Sequence, residues 1–170
     1  FHAGNGWEEG MEFEAQGWTD ANREDDPAAY SGMGGFCPET RIVWFYRLSE
    51  RQRRCLPIHI TEDVAEIVQL CLNAPLLNKK RYLGHIDNQA SLASIRSTHG
   101  VRDHRMNEVA LVRKHLLDHH DILAMSDFVP SEDNISDAIS RGDFNRFIRE
   151  AREKGFSDFI WIDVRQSGVL

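Results

Sequence analysis

Five carboxylates of this 170-residue chain fall where its residue pattern predicts the start or end of an element, and carboxylates so placed suit one kind of chemistry. Asp20 closes a stretch of alternating character, and Asp87 closes another. Glu62 and Glu66 lie one turn apart on an amphipathic segment, and Asp137 follows Asn134 by three residues. Hard divalent cations take oxygen ligands, and two such ions about 3.5–4 Å apart can activate a water and stabilise a leaving oxygen during in-line phosphodiester cleavage. That chemistry needs acids delivered from separate elements to one point. Each residue has a rival reading. Asp25 and Asp26 compete with Asp20 from a solvated turn, Glu66 shares a helix face with Glu62, and Asp87-Asn88 reads equally well as a turn. Asp137 suits a helix N-terminus entered through Asn134.

Other reactive side chains point less far. His115 and His119 stand at i, i+4, but the adjacent Glu of H-E-x-x-H and a third ligand are lacking, so a zinc site is not expected. Cys37, Cys55 and Cys71 are odd in number and have no paired ligand spacing. Neither a disulfide framework nor a zinc knuckle follows, and buried free thiols are expected.

The elements that must carry the acids are readable from period. Alternation predicts strands over residues 13–20, 32–37 and 41–47, joined by turns at 23–27 and 38–40. A helix is expected over 61–73, capped by Thr61, with Glu62 in its first turn and Val64, Ile67, Val68, Cys71 and Leu72 on its apolar face. A strand over 81–87, a short helix over 91–98, a longer one over 106–117 and a fifth strand over 122–129 follow. Asn134 then caps a helix to residue 141, and another covers 144–154. Trp18, Trp44 and Tyr46 fall at strand spacing and read as packing residues rather than stacking platforms.

Charge is divided along the chain. Residues 1–26 hold eight acids and one base, Arg23, whereas the remaining residues balance. The basic run within 96–120 (Arg96, Arg102, Arg105, Arg113, Lys114 and five histidines) is modest and reads as a solvated helix face. No run approaches the roughly 20 apolar residues of a membrane span, and the first residues lack a secretory signal, so an intracellular protein of cytoplasm or nucleus is expected, with no membrane partner. A start at Phe1 suggests a domain cut from a longer polypeptide. Length predicts a single core, here residues 13–142, with an acidic tail over 1–12 and a helical extension over 143–170.

These residues together resemble the ribonuclease H domains of retroelement reverse transcriptases, especially those of retrotransposons. Thr19-Asp20-Ala21-Asn22 is similar to that family's first-strand motif, and Gly32-Met33-Gly34-Gly35 to its glycine-rich second strand. Glu62-Asp63-Val64-Ala65 resembles its E-x-x-A, and Asp87-Asn88 its "DN". Val129-Pro130-Ser131-Glu132-Asp133-Asn134-Ile135-Ser136-Asp137-Ala138-Ile139-Ser140-Arg141 is similar to V-P-x-x-x-N-x-x-D-x-x-S-R, the most specific stretch. The resemblance covers residues 13–142.

The resemblance implies an α/β fold, a ribonuclease-H-like mixed five-stranded sheet flanked by helices, with strands four and five parallel to the first. It implies an endonuclease that hydrolyses the RNA strand of RNA–DNA hybrids beside a reverse transcriptase polymerase domain. Two Mg²⁺ ions, with Mn²⁺ as a substitute, are then held by the catalytic acids Asp20, Glu62, Asp87 and Asp137, the hybrid being contacted by Asn22, Asn88 and Arg141. Glu62 is preferred to Glu66 because Ala65 completes the family pattern. Many relatives carry a mobile His before the last helix, but residues 127–133 contain none, which leaves the general acid unassigned. Two other readings use the same fold: a catalytically silent connection domain, and a transposase- or integrase-type DNA nuclease.

Overall fold

The alternating segments become strands, and residues 12–87 and 104–167 are described by the computed structural model. Strands β1 (Ala15–Asn22), β2 (Gly32–Cys37) and β3 (Ile42–Arg47) form an antiparallel meander, with Thr19 opposite Gly35 and Gly35 opposite Trp44. As expected, β4 (Arg81–Ile86) joins β1 in parallel and β5 (Leu123–Phe128) joins β4 in parallel. Among the described residues the sheet has six strands, however, not five. Strand β6 (Ile160–Asp163) runs parallel to β3, giving the order β5-β4-β1-β2-β3-β6. The segment after residue 142, expected to be a helical extension, therefore contributes a strand as well as a helix.

Among the helices, α1 (Glu50–Cys55) was not expected; its Ser49 and Gln52 form a reciprocal capping box. Helix α2 (Ile58–Asn73) begins three residues before the expected start. Pro57 stands at its N-cap, and Thr61, rather than capping, donates its hydroxyl to the Pro57 carbonyl at 3.2 Å. Helix α3 (His104–His119) contains the expected 106–117. The helix expected from Asn134 starts later. A 3₁₀ turn at Ser131–Asp133 ends at Asn134, and α4 (Asp137–Ser140) and α5 (Phe144–Glu153) follow. A last turn, α6 (Val164–Ser167), comes after β6. The helix expected over 91–98 and the acidic residues 1–11 lie outside the described residues.

Two layers cover the sheet. On one face Leu70 of α2, Ala74 and Leu77 just beyond it, and Leu117 of α3 pack against Ala15 and Tyr82. Further along the same face Ala65 and Val68 meet Ala21, Met33 and Trp44. On the opposite face Ala138 and Ile139 of α4 and Phe147 and Ala151 of α5 cover Phe36 and Val43. Each large side chain so enclosed contributes about 1.5–3 kcal/mol. A Cβ on Gly34 would overlap the Ile139 side chain, so the missing side chain is what lets α4 rest on the β2 backbone. Trp44 is fully enclosed, its indole N–H donating to Gln69 Oε1 at 2.6 Å. Of the three free thiols expected to be buried, Cys37 is, Cys71 is half-buried and Cys55 is exposed. Among the described residues no helix is long and apolar enough to cross a membrane.

Candidate metal centre

The site forms where β1 and β4 part. Their pairing ends with Trp18 beside His85, and two residues beyond each partner stand Asp20 and Asp87. Side chains at equal offsets on paired parallel strands project from one face, with the strands about 4.8 Å apart. Register alone thus directs the two carboxylates toward each other. One layer below, Trp18 stacks on His85, with ring centroids 4.6 Å apart. Glu62 arrives from the second turn of α2, not the first, because the helix begins at Ile58. Carboxylate oxygens of Asp20, Glu62 and Asp87 all lie within 4.8 Å of one another.

Burial and mutual repulsion set the electrostatics. Asp20 is 3% exposed and Glu62 6%. Burial, then the charge of Asp87, holds the Asp20 carboxyl well above its usual range, with Asp137 adding a smaller push. A hydrogen bond from Ser140 partly offsets this. Glu62 is pushed up to about 10 by burial, with Asp87 and then Asp20 adding to it. Its Oε2 is buried and has no hydrogen-bond partner, an arrangement that costs free energy unless something satisfies that oxygen. Three converging carboxylates and one orphaned oxygen fit a hard divalent cation.

Neighbouring residues fasten these acids in ways the sequence reading missed. Ser140 Oγ donates to Asp20 Oδ2 at 2.6 Å, and Ser131 Oγ to Asp87 Oδ2 at 3.2 Å. Asn134 Nδ2 donates to the Thr19 carbonyl at 3.0 Å, and Ser136 Oγ to the Trp18 carbonyl at 2.8 Å. The segment expected to carry Asp137 thereby clamps β1 and the Asp20 carboxylate. No local signal in the chain marks these hydroxyls as partners for acids 44 and 120 residues away.

Asp137 itself lies apart from the other three. It is the first residue of α4 rather than the third of a helix begun at Asn134. Arg141 and Arg146 bind its carboxylate. Glu66, the rival of Glu62, is buried against Arg113. Asn22 turns its amide to the Tyr30 carbonyl and Glu24, at 3.3 and 3.4 Å, and Arg141 also reaches Glu24 at 3.3 Å. Asn88 lies outside the described residues.

No known family's sequence model matches the chain, and no curated protein does. Solved structures do. The chain is similar to ribonuclease H1 of Halobacterium salinarum NRC-1 (TM-score 0.59, 14% identity, 77% of this chain and 97% of that one). It is similar to LC11 ribonuclease H1 in complex with an RNA/DNA hybrid (TM-score 0.62, 13% identity, 78% and 98%), and to the foamy viral protease–reverse transcriptase in complex with double-stranded DNA (TM-score 0.52, 16% identity, 78% and 94%). Identities this low establish the architecture, and the chain has a ribonuclease-H-like fold.

Proposed function

We propose that this protein is a divalent-metal-dependent endonuclease that hydrolyses the RNA strand of RNA–DNA hybrids. The observation that carries the reading is the buried convergence of Asp20, Glu62 and Asp87 at the end of a ribonuclease-H-like sheet. Asp20, Glu62 and Asp87 would hold one cation and Asp137 would contribute to a second, Mg²⁺ or Mn²⁺ being the ions that oxygen ligands suit. Bound there, such ions supply Lewis acidity toward the phosphate and an acidified water.

The chain's own groups do the rest. Ser140 and Ser131 fix two carboxylates, so the donor set is oriented before any ligand arrives. Asn22, Asn88 and Arg141 contact the hybrid, which is recognised by backbone and 2′-hydroxyls rather than by sequence. One solved relative is bound to an RNA/DNA hybrid, and another is a reverse transcriptase. The first supports a hybrid substrate, and the second, solved on double-stranded DNA, supports a polymerase partner in the parent polypeptide.

The test is cleavage of a labelled hybrid against duplex DNA of the same sequence, in Mg²⁺, in Mn²⁺ and in chelator. Hybrid-only, cation-dependent cutting that weakens steeply as salt rises is expected. Equal cutting of duplex DNA would favour a transposase-type nuclease. Cation binding without any cutting would favour a silent connection domain.

A further inference from the structure

Asp137 stands outside the compact trio, and two arginines account for its position. Arg141 Nε lies 3.1 Å from each Asp137 oxygen, and Arg146 Nη2 lies 2.7 Å from Oδ2. Arg141 belongs to the same short turn as Asp137. Arg146 reaches over from α5, whose N-terminus is fixed by Asp143 accepting from the Arg146 backbone N–H at 3.1 Å. Glu150, one turn on, holds Arg146 Nε at 3.0 Å and aims the guanidinium. The Asp137 side chain is 13% exposed and that of Arg146 29%, so this contact is less screened than an open surface pair.

An ionised carboxylate has about four lone-pair positions. Three contacts from the arginines occupy most of them, and two positive charges stand beside whatever remains. A dication that uses Asp137 as a ligand meets that charge, whereas one held by Asp20, Glu62 and Asp87 does not meet it at contact distance.

We propose that Arg146 is a positioning residue that sets the cation affinity of the Asp137 side of the site. It holds the fourth carboxylate in place while keeping an ion that uses it weakly bound. Two cation positions of unequal affinity follow, tight at the trio and loose at Asp137. The inference rests on the metal-centre reading above and adds to it a residue, on a separate helix, that the sequence pattern did not single out.

The experiment titrates Mn²⁺ alone, followed by electron paramagnetic resonance, into the wild-type chain and into Arg146→Gln, Arg146→Met and Arg146→Lys. Far-UV circular dichroism and melting in chelator establish that each variant is folded, and Met, which retains the apolar stem, serves as a second neutral replacement. In the neutral variants the weaker binding step should tighten roughly three- to tenfold, since one neighbouring charge is removed. The tighter step should stay in place, and Lys, which keeps the charge but not the two-sided guanidinium contact, should tighten the weaker step less than the neutral variants do. A weaker step that is unchanged or loosened in a folded neutral variant overturns the proposal, as does equal tightening in Lys. Wild-type binding of two ions with no response to Arg146 removes this inference alone. Absence of any Mn²⁺ binding by wild type removes the metal centre and this inference with it.

Discussion

Glu66 Oε1 and Arg113 Nη2 lie 3.6 Å apart in the interior between α2 and α3, an ion pair just too long for a hydrogen bond. Burial raises the Glu66 carboxyl above its usual range, and Arg113, then Thr19, pull it back. Arg113 also reaches Ser126 of β5 at 3.3 Å, so the pair ties both helices to the sheet edge. Glu66 is therefore engaged by Arg113 away from the trio, whereas Glu62 belongs to it. Arg113→Leu should strand a buried acid and cost about 3 kcal/mol in urea unfolding. Glu66→Gln should keep hybrid cleavage while Glu62→Gln abolishes it. Equal loss in both glutamine variants would contradict the assignment.

Asp87→Asn retains the shape of the side chain and removes one charge from the cluster. Cleavage should fall to background, yet in chelator the variant should melt at the same or a higher temperature than wild type, because repulsion is relieved. Adding Mg²⁺ should raise the wild-type melting temperature by mass action and the variant's less. A marked drop in melting temperature without metal would mark Asp87 as a structural acid.

The raised carboxyls also dictate how stability varies with pH. A group whose folded pKa exceeds its unfolded value binds its proton more tightly when folded, so its stabilising effect is whole below the unfolded pKa and is lost as pH rises through the folded one. For Glu62 that window opens near the model-compound value of 4.5 and closes at about 10. In chelator, stability should fall across this range by at most about 1.4 kcal/mol per pH unit for one proton. Asp20 adds to the decline from its own, lower starting value. Denaturant midpoints from pH 5 to 9 check it, and Glu62→Gln should flatten the slope. A wild-type slope unchanged by that substitution would exclude Glu62 as its source.

Gly34 permits α4 to rest on β2, since a Cβ there meets the Ile139 side chain. Gly34→Ala should destabilise the protein by about 1–3 kcal/mol through overpacking. It should also depress cleavage more than stability alone explains, because α4 carries Asp137 and Ser140. Pairing it with Ile139→Val makes room, and partial recovery of both properties is the expected result.

The strands that carry Asp20 and Asp87 were legible because their residues alternate, and their parallel partnership followed from the family resemblance. Strand β6 was not, since its Ile160, Trp161 and Ile162 are apolar in succession directly after Phe159, which erases alternation. Thr61 was misread as a cap because a Thr before acids imitates one, whereas Pro57 had already fixed an earlier start. Helix α1 buries no residue, so only its Ser49–Gln52 cap marked it. The site was half legible in the same sense. Which acids take part can be guessed from pattern, but the arginines on Asp137 and the serines on Asp20 and Asp87 belong to side-chain geometry in three dimensions.

The pairing of β6 with β3 has a consequence for how the molecule comes into being. Ile42 lies beside Ile160, so β3 waits for a partner made more than a hundred residues later. Until α5 has left the ribosome, Phe36 and Val43 lack the cover of Phe147 and Ala151, and β3 has an open edge of the kind that invites misassembly. Pairings this distant along the chain also close slowly. The Ser140 hydroxyl reaches Asp20 only after 120 further residues have been made. A nascent chain thus carries Asp20 and Asp87 for some time without the serines that orient them.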